Sequence, residues 1–353
     1  MNKLRIAIIA PPFTPLVSEK QRGIERIVSD LAQGFANKGH NVTLFGAGEC
    51  KLKVKFIPIL ERTIDELKIN KEETEASRPL SLEILYLTKA MDEIVKRESE
   101  FDIVFNHTRG SFVFLPLSRF LNIPVVNILH LPIFKELGEF LNSYKNPNII
   151  TVSNSQRQGF SGINYLATIY NGINLQEFEF NSNPKDYFLF LGAFGEHKNP
   201  KDAILASKKA ETNLILAGGK VREPYFKQEI KPLIDGKQIN YLGEVSDKER
   251  IKLLENAKAL LFPVNWKEPF GLVMIEAMAC GTPVVAYGNG SVREVVEDKK
   301  TGFIVNNVDE MAKAMKNIDS IKRTDCRKRV EDNFTTEIMT DKYEKIALDL
   351  IKK

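Results

Sequence analysis

Cysteine is scarce in this 353-residue chain, and its three copies stand far apart at Cys50, Cys280 and Cys326. No two of them form the C-x-x-C pair of a structural zinc site, and an odd, scattered set does not build a disulfide framework. The four histidines do not complete a metal-ligating cluster with them. We therefore expect a protein of a reducing compartment, the cytoplasm, that holds no metal.

Long uninterrupted apolar runs are also missing. Ile6–Ala10 is followed at once by two prolines, so this run is too short for a signal peptide. The most apolar stretch, 113–133, is interrupted by Pro116, Pro124 and Pro132 and predicts short strands and turns instead of a membrane span. A peripheral contact with the inner face of a membrane is compatible with this pattern, although no feature marks one.

Neither sign of charge is in large excess. The 50 basic and 46 acidic side chains leave a net charge of +4, which is too small and too dispersed for nucleic-acid binding as the main task. Hydrophobic residues make up 43% of the chain and charged residues 27%, the balance of an ordinary folded domain. A small negatively charged ligand fits this composition better than a nucleic acid does.

The order of the apolar runs predicts a repeated α/β scheme. Leu4–Ala10 has the pattern of a buried strand, a helical repeat follows over 24–35, and Asn41–Gly46 is the next strand. Strand, helix and strand in that order form a parallel, right-handed unit. Further strands are predicted at 103–106, 125–129, 149–152, 187–191, 213–217, 239–242, 259–262, 283–286 and 303–305.

Because the chain exceeds the usual size of one hydrophobic core, we predict two doubly wound, Rossmann-like domains that face each other across a cleft. The polar, non-periodic stretch 174–186 is the candidate linker. The N-terminal domain then covers 1–173, the C-terminal domain 174–334, and the amphipathic segment 335–353 forms one final helix. Ligands of such sheets bind at the carboxyl ends of the strands, so the loops there are the candidate sites.

The most informative segment follows the strand that ends at Phe262 and reads FPVNWKEPFGLVMIEAMACGTP. Pro269 disfavours helix at the residue before it, and the backbone amides of Phe270, Gly271 and Leu272 are then expected at a helix N-terminus. Such a terminus attracts phosphate. Carboxylates bracket it at Glu268 and Glu276, and a carboxylate can accept hydrogen bonds from vicinal sugar hydroxyls. The combination is that of a nucleotide-sugar site, although the spacing alone fits equally well a solvated helix residue at Glu276 and a surface loop residue at Glu268.

This segment resembles the E-x7-E element of glycosyltransferase family 4, and E-P-F-G-L-x-x-x-E-A-M-A-x-G-T-P-V-V-A matches almost throughout. The resemblance implies the GT-B fold, with the last helix crossing back to the first domain, and retaining transfer of a hexose-type sugar without a metal or cofactor. Glu268 would contact the transferred sugar, Phe270, Gly271 and Leu272 the sugar and phosphates, and Glu276 the ribose. Family frequency favours UDP over GDP or ADP as the donor nucleotide, and the base and the sugar of the donor stay open.

Other loops of the second half carry the resemblance further, with one departure. Gly192–Lys198 stands where the family has G-R-x-x-x-E-K, so Lys198 matches the residue that clamps the diphosphate, whereas Ala193 replaces the arginine. Arg157, Arg22 or Lys220 would compensate, or donor affinity would differ. The glycine turn before Lys220 and the loop that contains Val245 resemble family segments near the nucleotide.

The first half resembles the family more loosely. Gly23 opens a helix as in G-G-I-E-R, although Arg22 replaces the first glycine. His130 matches a family histidine near the donor sugar and the acceptor, and His107 follows the preceding strand in the same manner. Arg157 lies in another family segment.

Three other functions stay open from the sequence. A nicotinamide-dependent dehydrogenase is disfavoured because 11–23 lacks G-x-G-x-x-G and the second strand has no acid at its tip. A sugar-nucleotide epimerase or phosphorylase of the same fold would use the same donor site. A non-catalytic sugar-nucleotide-binding protein is suggested by the two departures from the family pattern, Ala193 and Arg22. The acceptor, whether glycan, lipid or small molecule, is not encoded in a recognisable motif.

Overall fold

The computed structural model describes residues 3–17, 22–67, 77–219 and 223–352. These form two compact units. The first comprises Met1–Val152, Arg157–Gly172 and Thr336–Lys353, and the second comprises Ser153–Gln156 and Ile173–Thr335. The short segment Ser153–Gln156 belongs to the second unit, a feature that the sequence did not indicate. Its backbone amides at Asn154 and Ser155 donate to the Glu294 carboxylate at 2.8 and 2.7 Å.

The first unit is built on a seven-stranded parallel sheet in the order β3-β2-β1-β4-β5-β6-β7. Burial explains why its central strands were readable from the sequence, since β1 is buried at every position after Arg5. The strands are β1 (Arg5–Ile9), β2 (Asn41–Ala47), β3 (Lys55–Leu60), β4 (Ile103–Asn106), β5 (Val125–Leu129), β6 (Ile149–Thr151) and β7 (Tyr165–Thr168). The helices are α1 (Gly23–Asn37), α2 (Arg78–Lys96) and α3 (Lys135–Asn142).

The second unit contains a six-stranded parallel sheet in the order β10-β9-β8-β11-β12-β13. Its strands are β8 (Phe188–Leu191), β9 (Leu214–Ala217), β10 (Ile239–Gly243), β11 (Ala259–Phe262), β12 (Val284–Tyr287) and β13 (Gly302–Val305). Its helices are α4 (Pro200–Ala210), α5 (Glu223–Tyr225), α6 (Asp247–Asn256), α7 (Leu272–Ala279), α8 (Val292–Val295), α9 (Val308–Lys316) and α10 (Arg323–Asn333). Both sheets have the 3-2-1-4 core of a doubly wound Rossmann-like fold.

The final helix, α11 (Thr336–Ile351), belongs to the first unit and confirms the predicted return of the chain. It lies against α1 so closely that a Cβ at Gly34 would come within 2.3 Å of Thr340 Oγ1. Glu344 accepts hydrogen bonds from Lys38 and lies 2.8 Å from His40 Nε2. A glycine on α1 and a buried carboxylate on α11 thus hold α11 against α1 and the turn that follows it.

Within the described residues, no helix combines the length and the apolar character that crossing a membrane requires.

Candidate nucleotide-sugar site

The order of the second sheet defines where its ligand site lies. Strand β8 has β9 on one side and β11 on the other, so the connections after β8 and β11 leave the sheet in opposite directions. A crevice forms at such a switch point outside the carboxyl ends of the strands. The two loops concerned are 192–199 and 263–271, and the amide of Asn265 joins them by donating to the His197 carbonyl at 3.1 Å.

Lys198 and Glu268, predicted from separate motifs, meet at this switch point. Lys198 Nζ lies 2.5 Å from Glu268 Oε2, and the Trp266 indole donates to the same oxygen at 2.8 Å. The Lys198 ammonium also lies 5.2 Å from the centre of the Trp266 ring. The Glu268 carboxylate is therefore held in place by two donors at one oxygen. Trp266 was not identified from the sequence, although it stands only two positions before Glu268.

The start of α7 is shaped by Gly271, which has a φ of +79°. An added Cβ would strain this left-handed backbone and would lie 2.6 Å from Met274 Cε and 3.2 Å from Phe262 Cζ. The first amides of a helix have no carbonyl of the same helix to bind, so those at the start of α7 can donate to an acceptor outside the helix. Leu272 begins the helix and Phe270 is buried beside it. The predicted helix N-terminus is present at Leu272, and its binding of phosphate stays a prediction.

The loop after β12 fixes the position of the Glu268 loop. The Ser291 amide donates to the Glu268 carbonyl at 3.0 Å, and the Ser291 hydroxyl donates to the Phe270 carbonyl at 2.7 Å. Gly290 has a φ of +62°, and a Cβ there would lie 2.3 Å from the Glu268 backbone. Only a glycine permits this close approach, which explains the Gly290-Ser291 pair after the E-x7-E segment.

Glu276 is buried in α7 and has a partner that the sequence did not suggest. Its Oε2 accepts a hydrogen bond from Arg250 of α6, and Arg250 in turn donates to Asp247 at 3.2 Å. The guanidinium group fixes the carboxylate while compensating its charge in a largely buried position. Nothing in the spacing of α6 and α7 along the chain indicated this pairing.

A cavity of about 190 Å³ lies at the switch point. Its lining joins the polar pair Lys198 and Glu268 to an apolar wall, and includes Phe190, Leu191, Gly192, Phe262, Val264, Gly271, Leu272 and Val273. A concave, mostly apolar pocket with a few convergent polar groups has the composition of a small-molecule site.

The glycine turn after β9 packs against the loop after β8. Gly218 has a φ of +138°, and a Cβ there would lie 1.9 Å from the Gly192 carbonyl oxygen. Ala193 presents no cation in this loop. Lys220, predicted to help bind the donor, lies outside the described residues. Val245 lies between β10 and α6, next to a capping box in which Ser246 and Glu249 bond reciprocally.

The remaining predicted residues belong to the first unit, at the carboxyl ends of its strands. Gly23 begins α1, and the neighbouring Arg22 pairs with Asp65 at 2.7 Å. His107 and His130 follow β4 and β5, and His107 Nδ1 lies 3.0 Å from His130 Nε2.

Burial determines the protonation of both histidines. It lowers the pKa of His130 to about 3, and it holds the pKa of His107 well below its usual value. Arg157, proposed as a substitute cation, donates to Thr151 Oγ1 at 3.0 Å and lies over the Tyr165 ring.

No group of three or more His, Cys, Asp or Glu side chains within 3–17, 22–67, 77–219 and 223–352 is arranged to hold a metal ion.

The chain therefore contains two parallel, doubly wound, Rossmann-like sheets, and the second has a carboxylate, a lysine and a helix N-terminus at its switch point. Comparison with known proteins specifies the class. Residues 173–333 match the model of glycosyl transferases group 1, and residues 21–177 match that of glycosyltransferase family 4. The chain belongs to the family 4 type of glycosyltransferases.

Individual relatives agree with this assignment. An uncharacterized glycosyltransferase of Methanocaldococcus jannaschii is 25% identical, over 99% of this chain and 96% of the relative. The structure of sucrose-phosphate synthase from Thermosynechococcus elongatus superposes with a TM-score of 0.76 at 18% identity, covering 99% of this chain and 100% of the other. HepE of Anabaena, solved with UDP and glucose, gives 0.73 at 18% identity over 98% and 100%. At these identities the two structures support the GT-B fold.

Proposed function

We propose that this glycosyltransferase moves a hexose-type sugar from a nucleoside diphosphate sugar to an acceptor, with retention of anomeric configuration and without a metal. The observation that carries the proposal is the convergence of Lys198, Glu268 and the start of α7 at one switch point. Lys198 and the helix amides match a diphosphate, and Glu268 matches the hydroxyls of a sugar attached to it.

Positive charge for the departing diphosphate is available from the chain itself. A lysine ammonium is a cationic partner for phosphate, and a helix N-terminus contributes a partial positive charge; both are in place before the reaction begins. In the free protein Lys198 is bound to Glu268. When the donor binds, the Lys198 ammonium therefore interacts with both the Glu268 carboxylate and the diphosphate. This shared contact places the diphosphate and the sugar close to Glu268.

Glu268 is better suited to hold a sugar than to attack it. One of its oxygens already accepts from both Lys198 and Trp266, which stabilise the carboxylate and reduce its reactivity. We therefore favour a front-face displacement in which a donor phosphate oxygen takes the proton of the acceptor hydroxyl. UDP is the favoured nucleotide, since HepE, which has the same fold, was solved with UDP and glucose.

The test begins with a thermal-shift screen of UDP, GDP, ADP and their common sugar conjugates without added metal. A stabilising nucleotide identifies the base, because a ligand that binds only the folded state raises the melting temperature. Lys198→Met should abolish the shift. Lys201→Met is the matched control, because Lys201 pairs with Glu229 on the surface of the same unit. An unchanged shift in the Lys198 variant would contradict the proposed site.

A sugar-nucleotide-binding protein without turnover is the alternative that Ala193 favours. Because the usual arginine is absent from the loop Gly192–Lys198, Lys198 is the basic side chain of this loop that can bind a diphosphate. Release of nucleoside diphosphate that depends on an added acceptor supports the transferase. Saturable donor binding with no such release across an acceptor panel of glycans, lipids and small molecules supports the alternative.

A further inference from the structure

His107 and His130 face each other in the interior of the first unit, at the carboxyl ends of β4 and β5. The ring centroids are 5.2 Å apart, and His107 Nδ1 lies 3.0 Å from His130 Nε2. His107 is fully buried, whereas His130 keeps 9% of its surface exposed. Tyr343 of α11 packs beside His107, with ring centroids 5.8 Å apart. The pair is therefore enclosed, and only His130 has access to a ligand.

Only one hydrogen can lie between the two rings when both are neutral. Burial removes the charged form of each, since it lowers the pKa of His130 to about 3 and that of His107 well below its usual value. A neutral imidazole carries one N–H and one bare nitrogen. The nitrogen that holds the shared hydrogen therefore fixes the tautomers of both rings.

The other nitrogen of His107 decides between the two arrangements. His107 Nε2 is buried and has no hydrogen-bond partner among the residues that the structure describes. If His130 donated, the hydrogen of His107 would have to sit on Nε2 as a buried N–H without an acceptor. If His107 donates from Nδ1, its Nε2 is a bare acceptor. Among buried backbone groups an orphan N–H is rarer than an under-satisfied carbonyl, and we extend the same preference to the imidazole, which favours a bare Nε2 on His107.

We propose that His107 is a positioning residue: it donates its Nδ1 hydrogen to His130 Nε2, so that His130 presents Nδ1–H as a neutral hydrogen-bond donor. The fitting partner is an oxygen atom of a bound ligand that accepts a hydrogen bond. His130 then contributes a donor and not a general base. This last consequence rests on the proposed function, whereas the tautomer itself does not.

The tautomer is measured directly on ¹⁵N-histidine-labelled full-length protein. The chain has four histidines. Spectra of four variants, each with one histidine replaced, assign the ring signals to their residues. Long-range ¹H–¹⁵N correlations at pH 7 should show a protonated Nδ1 and a bare Nε2 on both His107 and His130. A His130 ring protonated at Nε2 overturns the proposal. The result stands even if no nucleotide sugar binds, which separates its failure from failure of the proposed function.

Two substitutions test the influence of His107. His107→Phe keeps the ring volume and removes the donor, so His130 should lose its single tautomer and show a mixture or the Nε2–H form. His107→Asn places an amide N–H near the position of Nδ1 and should restore Nδ1–H on His130. Retention of the pure Nδ1–H form in His107→Phe overturns the role of His107.

Kinetics with UDP-glucose as the probe donor give a second readout. Losing one oriented hydrogen bond of about 1.4 kcal/mol corresponds to a tenfold effect. We expect His107→Phe to lower kcat about tenfold with KM nearly unchanged, and His107→Asn to recover most of the loss. Equal losses in both variants, at equal melting temperatures, contradict a positioning role. If His107→Phe does not fold, the wild-type spectrum and His107→Asn still decide the question.

Discussion

Replacing Glu268 by glutamine should separate the binding of a nucleotide from the binding of its sugar. In the free protein the Glu268 carboxylate holds Lys198 at 2.5 Å, and the two side chains are 9% and 22% exposed. Glutamine keeps the size of the side chain but removes its charge. Lys198 is then released from its partner, while the acceptor for sugar hydroxyls is weakened.

The two effects have opposite signs. Hydrogen bonds to a charged group contribute about 1.5–3 kcal/mol, so the sugar-dependent part of the affinity should fall about ten- to hundredfold. Freeing a partly exposed lysine contributes about 1 kcal/mol at most. UDP alone should therefore bind Glu268→Gln as tightly as wild type, or up to about fivefold tighter.

Calorimetric titration with UDP and with UDP-sugar measures both quantities on the same preparations. Turnover should be severely reduced in Glu268→Gln and in Glu268→Ala. If the affinities for UDP and for UDP-sugar fell by the same factor, the reasoning would be refuted, because Glu268 would then contribute to binding of the nucleotide and not of the sugar. Near-normal turnover would refute the assignment of Glu268 altogether.

Three further predictions concern the helix terminus, the ribose and the final helix. Gly271→Ala should lower the free energy of unfolding by about 1–2 kcal/mol because of its positive φ, and it should also weaken UDP binding. Gly236→Ala is the control: its φ is +69° with open space around it, so this change should lower stability and leave UDP binding unchanged. Wild type should discriminate against 2′-deoxy-UDP, and Glu276→Gln should lose that preference if this carboxylate binds the ribose; equal discrimination by both proteins would exclude the contact. Burial alone would raise the pKa of Glu344, but its hydrogen bonds to Lys38 and His40 hold it below the usual value, so its contribution to stability is present above about pH 4.5 and is lost as pH falls through the folded-state pKa. In acid unfolding followed by circular dichroism, Glu344→Gln should therefore destabilise the protein at pH 7, and this destabilisation should shrink progressively as the pH falls below about 4.5. Asp341→Asn, at an exposed carboxylate that also pairs with Lys38, should change little across the same pH range.

The buried elements were predictable from the sequence because burial imposes a continuous apolar run. Strands β4, β5 and β11 have the predicted bounds, and the other central strands shift by a residue or two. The two that were missed, β3 and β7, lie at the two edges of the first sheet. Pro58 inside β3 argues against a central strand, but an edge strand tolerates a residue without an amide hydrogen.

The fold class and the candidate residues around the E-x7-E segment could therefore be predicted from the sequence alone. Those properties depend on local pattern: apolar runs, a proline before a helix, and a glycine where φ must be positive. The tertiary structure decided which groups meet. Lys198 and Glu268 are 70 positions apart, and only the adjacency of β8 and β11 brings them into contact. Arg250 and Glu276 are 26 positions apart, and the packing of α6 on α7 brings this pair together. The His107–His130 contact has the same origin, because a hydrogen bond between the ends of neighbouring strands depends on sheet order, which is a property of the fold and not of any segment.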